Sequence, residues 1–234
     1  MHVPSGRTFY EEDIRLVRQM AQHGFIRHVD EPFLLSSGIE SRVYVFGRED
    51  MTDNVYFERC VGERVCNAVW NGMRGMTGGL RESCLIGIPT AGTVFAQAAA
   101  MASLGSTSVI SHRIMREIPK EHGADVHRGW VNGRPDPERH CYWLVDNVVT
   151  SGKSMLEAAQ KLEDDGYPPR AETPCLVFID RQQGGVRRLE EARFKKIVVV
   201  YNLLDVTFAL GEFGLWSKSA VAGVEEDIRA HQLI

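Results

Sequence analysis

No two cysteines in this chain stand in C-x-x-C spacing, and their number, five, is odd. These two lacks argue against a zinc knuckle and a closed disulfide framework. Cys60, Cys66, Cys84, Cys141 and Cys175 read instead as small buried apolar residues, and Cys84, Cys141 and Cys175 each open a hydrophobic run. Reduced thiols in a cytoplasmic compartment are the expectation. Also missing is any run of about eighteen apolar residues, or a basic N-terminal stretch followed by an apolar one. Neither a membrane span nor a cleaved leader is expected. Strong charge of either sign is lacking too, since 27 Lys and Arg oppose 31 Asp and Glu for a net −4. Nucleic acid and anionic membranes would release few counterions on binding, so neither is expected as a partner. His112, His122, His127 and His140 have no spacing that suits a transition metal. Internal repeats and low-complexity tracts are absent.

What is present suits one enzyme-sized unit. With 234 residues, 44% of them hydrophobic and 25% charged, a single α/β domain over 1–234 can bury a full core. Short β-branched or apolar runs predict strands at Cys84–Ile88, Thr107–His112, Cys141–Asp146, Pro174–Ile179 and Lys196–Tyr201. Helical patterns lie between them at Ala91–Leu104, at Met155–Asp165 (ended by Gly166 and Pro168) and at Val186–Arg193. Five strands alternating with helices imply a parallel sheet flanked by helices. Ahead of this core, Glu11–His23 reads as an amphipathic helix, and Phe25 to Gly47 as strand-turn-strand around Ser37-Gly38. About residues 1–50 would form a small hood over the carboxyl ends of the strands. The pairs Arg187-Arg188 and Lys195-Lys196, set among Glu190, Glu191 and apolar residues, look like a solvated helix face.

The chemistry concentrates in Y-W-L-V-D-N-V-V-T-S-G-K-S, residues 142–154. An apolar strand delivers Asp146 and Asn147 at its carboxyl end, where sugar hydroxyls can be met. Thr150, Ser151, Gly152, Lys153 and Ser154 then turn into a helix, so hydroxyls, backbone N–H groups and a helix N-terminus converge on one anion. A nucleotide P-loop would need a glycine five positions before Gly152, and Asn147 stands there. A monophosphate cradle beside a diol clamp is the better reading; an ordinary strand-turn-helix without ligand is the plain one. A second tight turn, Pro89-Thr90-Ala91-Gly92, follows the first core strand and could present N–H groups to another anion. Gly123 to Glu138 reads as a long excursion, entered through Arg116, Glu117, Lys120, Glu121 and His122.

The 142–154 segment resembles the signature of the type I phosphoribosyltransferases. Four further stretches in the right order narrow the resemblance to orotate phosphoribosyltransferase: F-L-L-S-S-G-I-E-S-R-V-Y from Phe33, L-I-G-I-P-T-A-G from Leu85, R-E-I-P-K-E-H-G from Arg116 and D-R-Q-Q-G-G from Asp180. The resemblance implies the type I phosphoribosyltransferase fold and Mg²⁺-dependent transfer of a phosphoribosyl group from phosphoribosyl pyrophosphate to a nucleobase, orotate above all, in a homodimer. It assigns Asp146 and Asn147 to the ribose hydroxyls, Thr150 to Ser154 to the 5-phosphate, and Pro89, Thr90, Ala91 and Gly92 to pyrophosphate. Arg116, Lys120 and His122 lie on a loop that closes over pyrophosphate, Arg181 holds the base, and Ser36 borders the base and pyrophosphate.

The departures are equally specific. Asn147 stands where the family has a second carboxylate, and Ser36, Ala91 and Glu117 stand where it has cations. An amide accepts a hydrogen bond but brings no charge to a developing cation. Lys153, Arg42 and Arg113 are the candidates to compensate. Two alternatives stay open: the same transfer to another base, or a non-catalytic sensor of phosphoribosyl pyrophosphate.

Overall fold

The computed structural model describes residues 1–35, 38–45, 49–76, 81–120, 122 and 129–231. Five strands form one parallel sheet in the order β4-β3-β5-β6-β7: β3 Glu82–Gly87, β4 Ser111–Ile114, β5 His140–Val149, β6 Cys175–Asp180 and β7 Ile197–Asn202. The helices of the core are α3 Val55–Met73, α4 Ala91–Ala102, α5 Lys153–Asp164, α6 Gly185–Glu191, α7 Leu203–Glu212 and α8 Lys218–His231. Along β5, Trp143 and Val145 enter the cluster that holds Phe95 and Phe178, while Tyr142 and Leu144 enter the one that holds Met155 and Leu162. Side chains of a strand alternate between faces, so a continuous apolar run is what a sheet covered on both sides requires. No helix among the described residues is long and apolar enough to cross a membrane.

The strand order places the site. The chain begins the sheet at β3, moves outward to β4, then crosses back to β5 and continues to β6 and β7. Direction therefore reverses between β3 and β5, and ligands of open α/β sheets bind outside the strand ends at such a switch point. The turn after β3 and the loop after β5 flank that crevice.

The hood is a helix, α1 Glu11–Gln22, and a hairpin, β1 Ile26–Leu34 with β2 Glu40–Val45. Its polar anchors reach the last third of the chain. Asp13 accepts from the Tyr201 hydroxyl at 2.8 Å and pairs with Arg64 of α3 at 3.1 Å. Asp205 accepts from the Ser5 hydroxyl at 2.6 Å and the Ser5 N–H at 2.9 Å.

Three readings from the sequence are corrected. The second strand is not Thr107–His112: β4 starts at Ser111, because residues 104–108 turn, with Ile110 N–H donating to Ser103 Oγ at 2.9 Å. Lys195 and Lys196 lie beyond α6, not on its face, and Lys196 Nζ donates to the Gly72 carbonyl at 2.6 Å. A 19-residue helix, α3, occupies a stretch to which no element was assigned. Asn54 caps it, accepting from Tyr56 and Phe57 N–H at 3.1 and 3.0 Å, and Phe57, Val61, Val65 and Val69 are buried at four-residue spacing. Helices α7 and α8 were likewise unassigned. Of the pattern read between Phe25 and Gly47, Ser37 and Gly47 lie outside the described residues.

Candidate active site

A cleft of about 550 Å³ opens at the switch point. β5, which runs three residues past Asp146, supplies Asp146 and Asn147, and the loop after it Thr150 to Ser154; the turn after β3 supplies Pro89, Thr90 and Ala91; Arg181 follows the end of β6; the hood contributes Phe33, Leu34 and Tyr44. Segments read separately in the sequence thus share one wall-to-wall space.

The Thr150–Ser154 end of the cleft is built by backbone. Gly152 caps α5 at φ +74°, a left-handed conformation that suits glycine. Lys153 begins the helix, so the first N–H groups of α5 have no carbonyl one turn back and face the cleft. The loop leans on α6: a side chain at Gly185 would place its Cβ 2.6 Å from the Thr150 carbonyl oxygen, so the D-R-Q-Q-G-G segment must end in glycines for the loop to rest there. Arg188 Nη1 donates to the Ser151 carbonyl at 3.0 Å. Sequence reading consigned Arg188 to a solvated face; its side chain is exposed, yet it braces the cradle, and no local pattern announces a contact across 37 residues. The Lys153 side chain is 76% exposed and pairs with Glu157 at 3.8 Å, which turns it along its own helix.

The Asp146 side of the cleft carries a strong electrostatic signal. Burial pushes the Asp146 carboxyl up to about 7, opposed only by the Asn147 N–H at 2.9 Å. Burial also raises Asp180 to about 6, with the Gln182 N–H at 2.9 Å opposing. Gln182 holds φ +60°, an uncommon conformation for a side-chain-bearing residue and one that clusters near functional sites. Its Oε1 accepts from the Leu204 N–H at 3.1 Å.

Arg181 carries contacts that its sequence does not announce. It is 2% exposed and lines the cleft, but its guanidinium is directed at the hood. Nη1 and Nη2 each donate to the Val43 carbonyl at 3.0 Å, and Nη2 donates to Ser41 Oγ at 2.5 Å. Burial lowers its pKa to about 10. The arginine first fastens β2 over the crevice; only Nε has no hydrogen-bond partner. Gly92 lies behind the turn rather than on the cleft: a Cβ there would come 2.3 Å from the Val145 carbonyl oxygen, so this glycine lets α4 seat against β5. Ser36 lies outside the described residues, as do Glu121 and most of the excursion's outer part.

Arg116, Lys120 and His122 do not line the cleft in this structure. They stand on the outgoing leg of an arm whose return leg begins at Gly129; Arg116 N–H donates to the Trp130 carbonyl at 2.8 Å and Lys120 N–H to the Gly129 carbonyl at 2.9 Å. The arm reaches the anion turn through Glu117, whose Oε1 accepts from the Thr90 hydroxyl at 2.9 Å. Neither Arg42 nor Arg113 supplies the missing charge. Arg42 Nε donates to the Asp30 carbonyl at 3.2 Å, and Arg113 Nη1 to the Tyr167 hydroxyl at 2.5 Å.

No family model matches the chain. Among curated proteins it is 29% identical over 205 residues to the orotate phosphoribosyltransferase of Chlamydia felis, covering 87% of this chain and 89% of that protein. It is 29% identical over 178 residues to the orotate phosphoribosyltransferase of Methanopyrus kandleri, covering 76% and 82%. Among solved structures it superposes on Leishmania donovani UMP synthase with a TM-score of 0.70 at 17% identity, over 93% of this chain and 42% of that one. The orotate phosphoribosyltransferase from Aeropyrum pernix gives 0.59 at 23% identity, over 86% and 99%. The fold is that of the type I phosphoribosyltransferases, as the ordered motifs implied.

Proposed function

We propose that this chain transfers a phosphoribosyl group from phosphoribosyl pyrophosphate to orotate, releasing orotidine 5′-monophosphate and pyrophosphate. One observation carries the reading: the Thr150–Ser154 loop, the Asp146-Asn147 pair and the Pro89–Ala91 turn face a single cleft at the sheet's switch point. A 5-phosphate at the N-terminus of α5 puts the ribose against Asp146 and Asn147, and the 1-position then points toward the turn after β3. The C1–O bond to pyrophosphate breaks with its electron pair leaving on oxygen, and N1 of orotate, having lost its proton, supplies the pair of the new C1–N1 bond. Carbon C1 is electron-poor between these events, so an ionised Asp146 is worth most at that moment. Arg116, Lys120 and His122 meet the charge gathering on pyrophosphate once the arm turns inward. Arg181 Nε, buried and without a partner, is the donor left for the base.

Magnesium is part of the proposal. The proposed ion arrives on the ligand, whose pyrophosphate oxygens are hard donors. Asp146 is the hard oxygen donor facing the cleft, and Mg²⁺ would neutralise pyrophosphate oxygens there while keeping several waters. Five free cysteines agree with a cytoplasmic home, and a homodimer is proposed from the resemblance, with sedimentation as its check.

A second reading has its own support. Glu117 at the anion turn, accepting from the Thr90 hydroxyl, suits a protein that senses phosphoribosyl pyrophosphate without turnover. Pyrophosphate release measured with orotate, uracil, adenine, guanine and nicotinate separates the readings. Turnover with orotate is the expected result; turnover with another base alone changes the substrate, and calorimetric binding without turnover on any base leaves the sensor.

A further inference from the structure

We propose that Asp165 is a positioning residue that sets the arm carrying Arg116 and Lys120 from the far end of the phosphate-binding helix. Asp165 is the C-cap of α5 and is 8% exposed. A carboxylate is badly matched to that end of a helix, where the macrodipole favours cations. Its compensation comes from another part of the chain: Oδ2 accepts from the Trp130 N–H at 2.9 Å and from the Val131 N–H at 2.7 Å. Both bonds are charge-assisted, and both are made to the arm's return leg.

From there the contacts pass to the outgoing leg. The Trp130 carbonyl accepts the Arg116 N–H, and the Gly129 carbonyl accepts both the Lys120 N–H and, at 3.3 Å, Arg116 Nη1. Met115 and Val131 form an antiparallel bridge at the base. Lys161, one turn before Asp165, lays its ammonium 4.3 Å over the Trp130 ring. The backbone of Arg116 and Lys120 is therefore referred to α5, the same helix whose first turn forms the phosphate cradle. At about 1.5 Å per residue this 12-residue rod is about 18 Å long. One rigid element thus holds the base from which the arm turns toward the anion.

The proposal rests on the reading of the arm as transition-state machinery, and its test separates the two. Asp165→Ala is compared with Asp165→Asn, whose amide oxygen can accept the same two N–H groups. With the full-length chain, Asp165→Ala should lower kcat at least tenfold while the affinity for ribose 5-phosphate stays within twofold, and hydrogen exchange at the Arg116 and Lys120 amides should quicken at least tenfold. Asp165→Asn should recover most of the rate and of the protection. Unchanged kcat and unchanged exchange in Asp165→Ala would overturn the assignment. So would a parallel loss of ribose 5-phosphate binding, which would mark a global defect. If the wild-type chain turned over no base, the functional reading would fall, and exchange at those two amides, with its rescue by Asn, would still decide whether Asp165 sets the arm.

Discussion

The two ends of the cleft are made in different ways. At the end proposed for phosphate, strand, carboxylate, turn and helix follow one another within residues 142–164, and the geometry is mostly written by neighbouring residues. At the pyrophosphate end, the Pro89–Ala91 turn meets Glu117 of the arm, and the arm is fixed by Asp165. One half is a local motif; the other is an assembly of distant segments. The comparison teaches that affinity for sugar phosphate and competence for transfer are separable properties here, so substitutions should divide between them.

The largest expected effects test the separation directly. Gly185→Ala drives a Cβ into the Thr150 carbonyl, and the loop must shift; ribose 5-phosphate affinity by calorimetry should fall about 100-fold, since close backbone contacts tolerate little displacement. At the other end, Lys120→Ala should cut kcat about 100-fold while phosphoribosyl pyrophosphate binding changes less than fivefold, as befits a group that acts chiefly on leaving-group charge. A matched loss of binding would erase the distinction.

Asp146 offers a pH test. Its pKa, raised by burial to about 7, means that the ligand-free fold is favoured by the protonated acid, a contribution present below the unfolded value and lost as pH rises through about 7. Asp146→Asn should then stabilise the ligand-free protein at pH 8 by about 1–4 kcal/mol in denaturant unfolding. The same substitution should weaken sugar-phosphate binding and flatten its rise between pH 6 and 8; wild-type affinity independent of pH would mean that Asp146 does not face the ribose.

Smaller effects sharpen the contrast. Arg188→Met removes one hydrogen bond to the cradle, for an expected three- to tenfold loss of ribose 5-phosphate affinity, about 0.5–1.5 kcal/mol, and no change in pyrophosphate affinity. Glu117→Gln removes a like charge from the anion turn, and inorganic pyrophosphate should bind about two- to fivefold tighter without added magnesium. Equal effects of both variants on both ligands would show that the halves are not independent.

How much was legible follows the same division. Four of the five core strands were visible because a sheet covered on both faces demands apolar runs, and the cradle because its residues are consecutive; β4, S-H-R-I at the sheet edge, carries no such run and was placed too early. Helix α3 was also legible in its spacing from Phe57 to Val69, but Gly62, Gly72 and β-branched residues diluted its helical look. What could not be read was anything settled by tertiary partners. Arg181 was expected to face a ligand, and while lining the cleft it also grips Val43 and Ser41; Arg188 looked solvated and braces Ser151; Asp165 looked like the end of a helix and holds Trp130 and Val131. Residue type told that these groups would seek partners, and only the fold chose which.

The grip of Arg181 on β2 bears on how the protein is born. The hood leaves the ribosome before the sheet, yet its attachments to Arg181, Tyr201 and Asp205 wait for residues that emerge more than a hundred positions later. A nascent chain can form the hairpin early and pair α1 with α3 through Arg64, but Arg181 is not yet there to grip β2. The roof over the crevice therefore closes late in translation, and a polypeptide stalled before Arg181 would carry the phosphate loop without the covered chamber in which that loop operates.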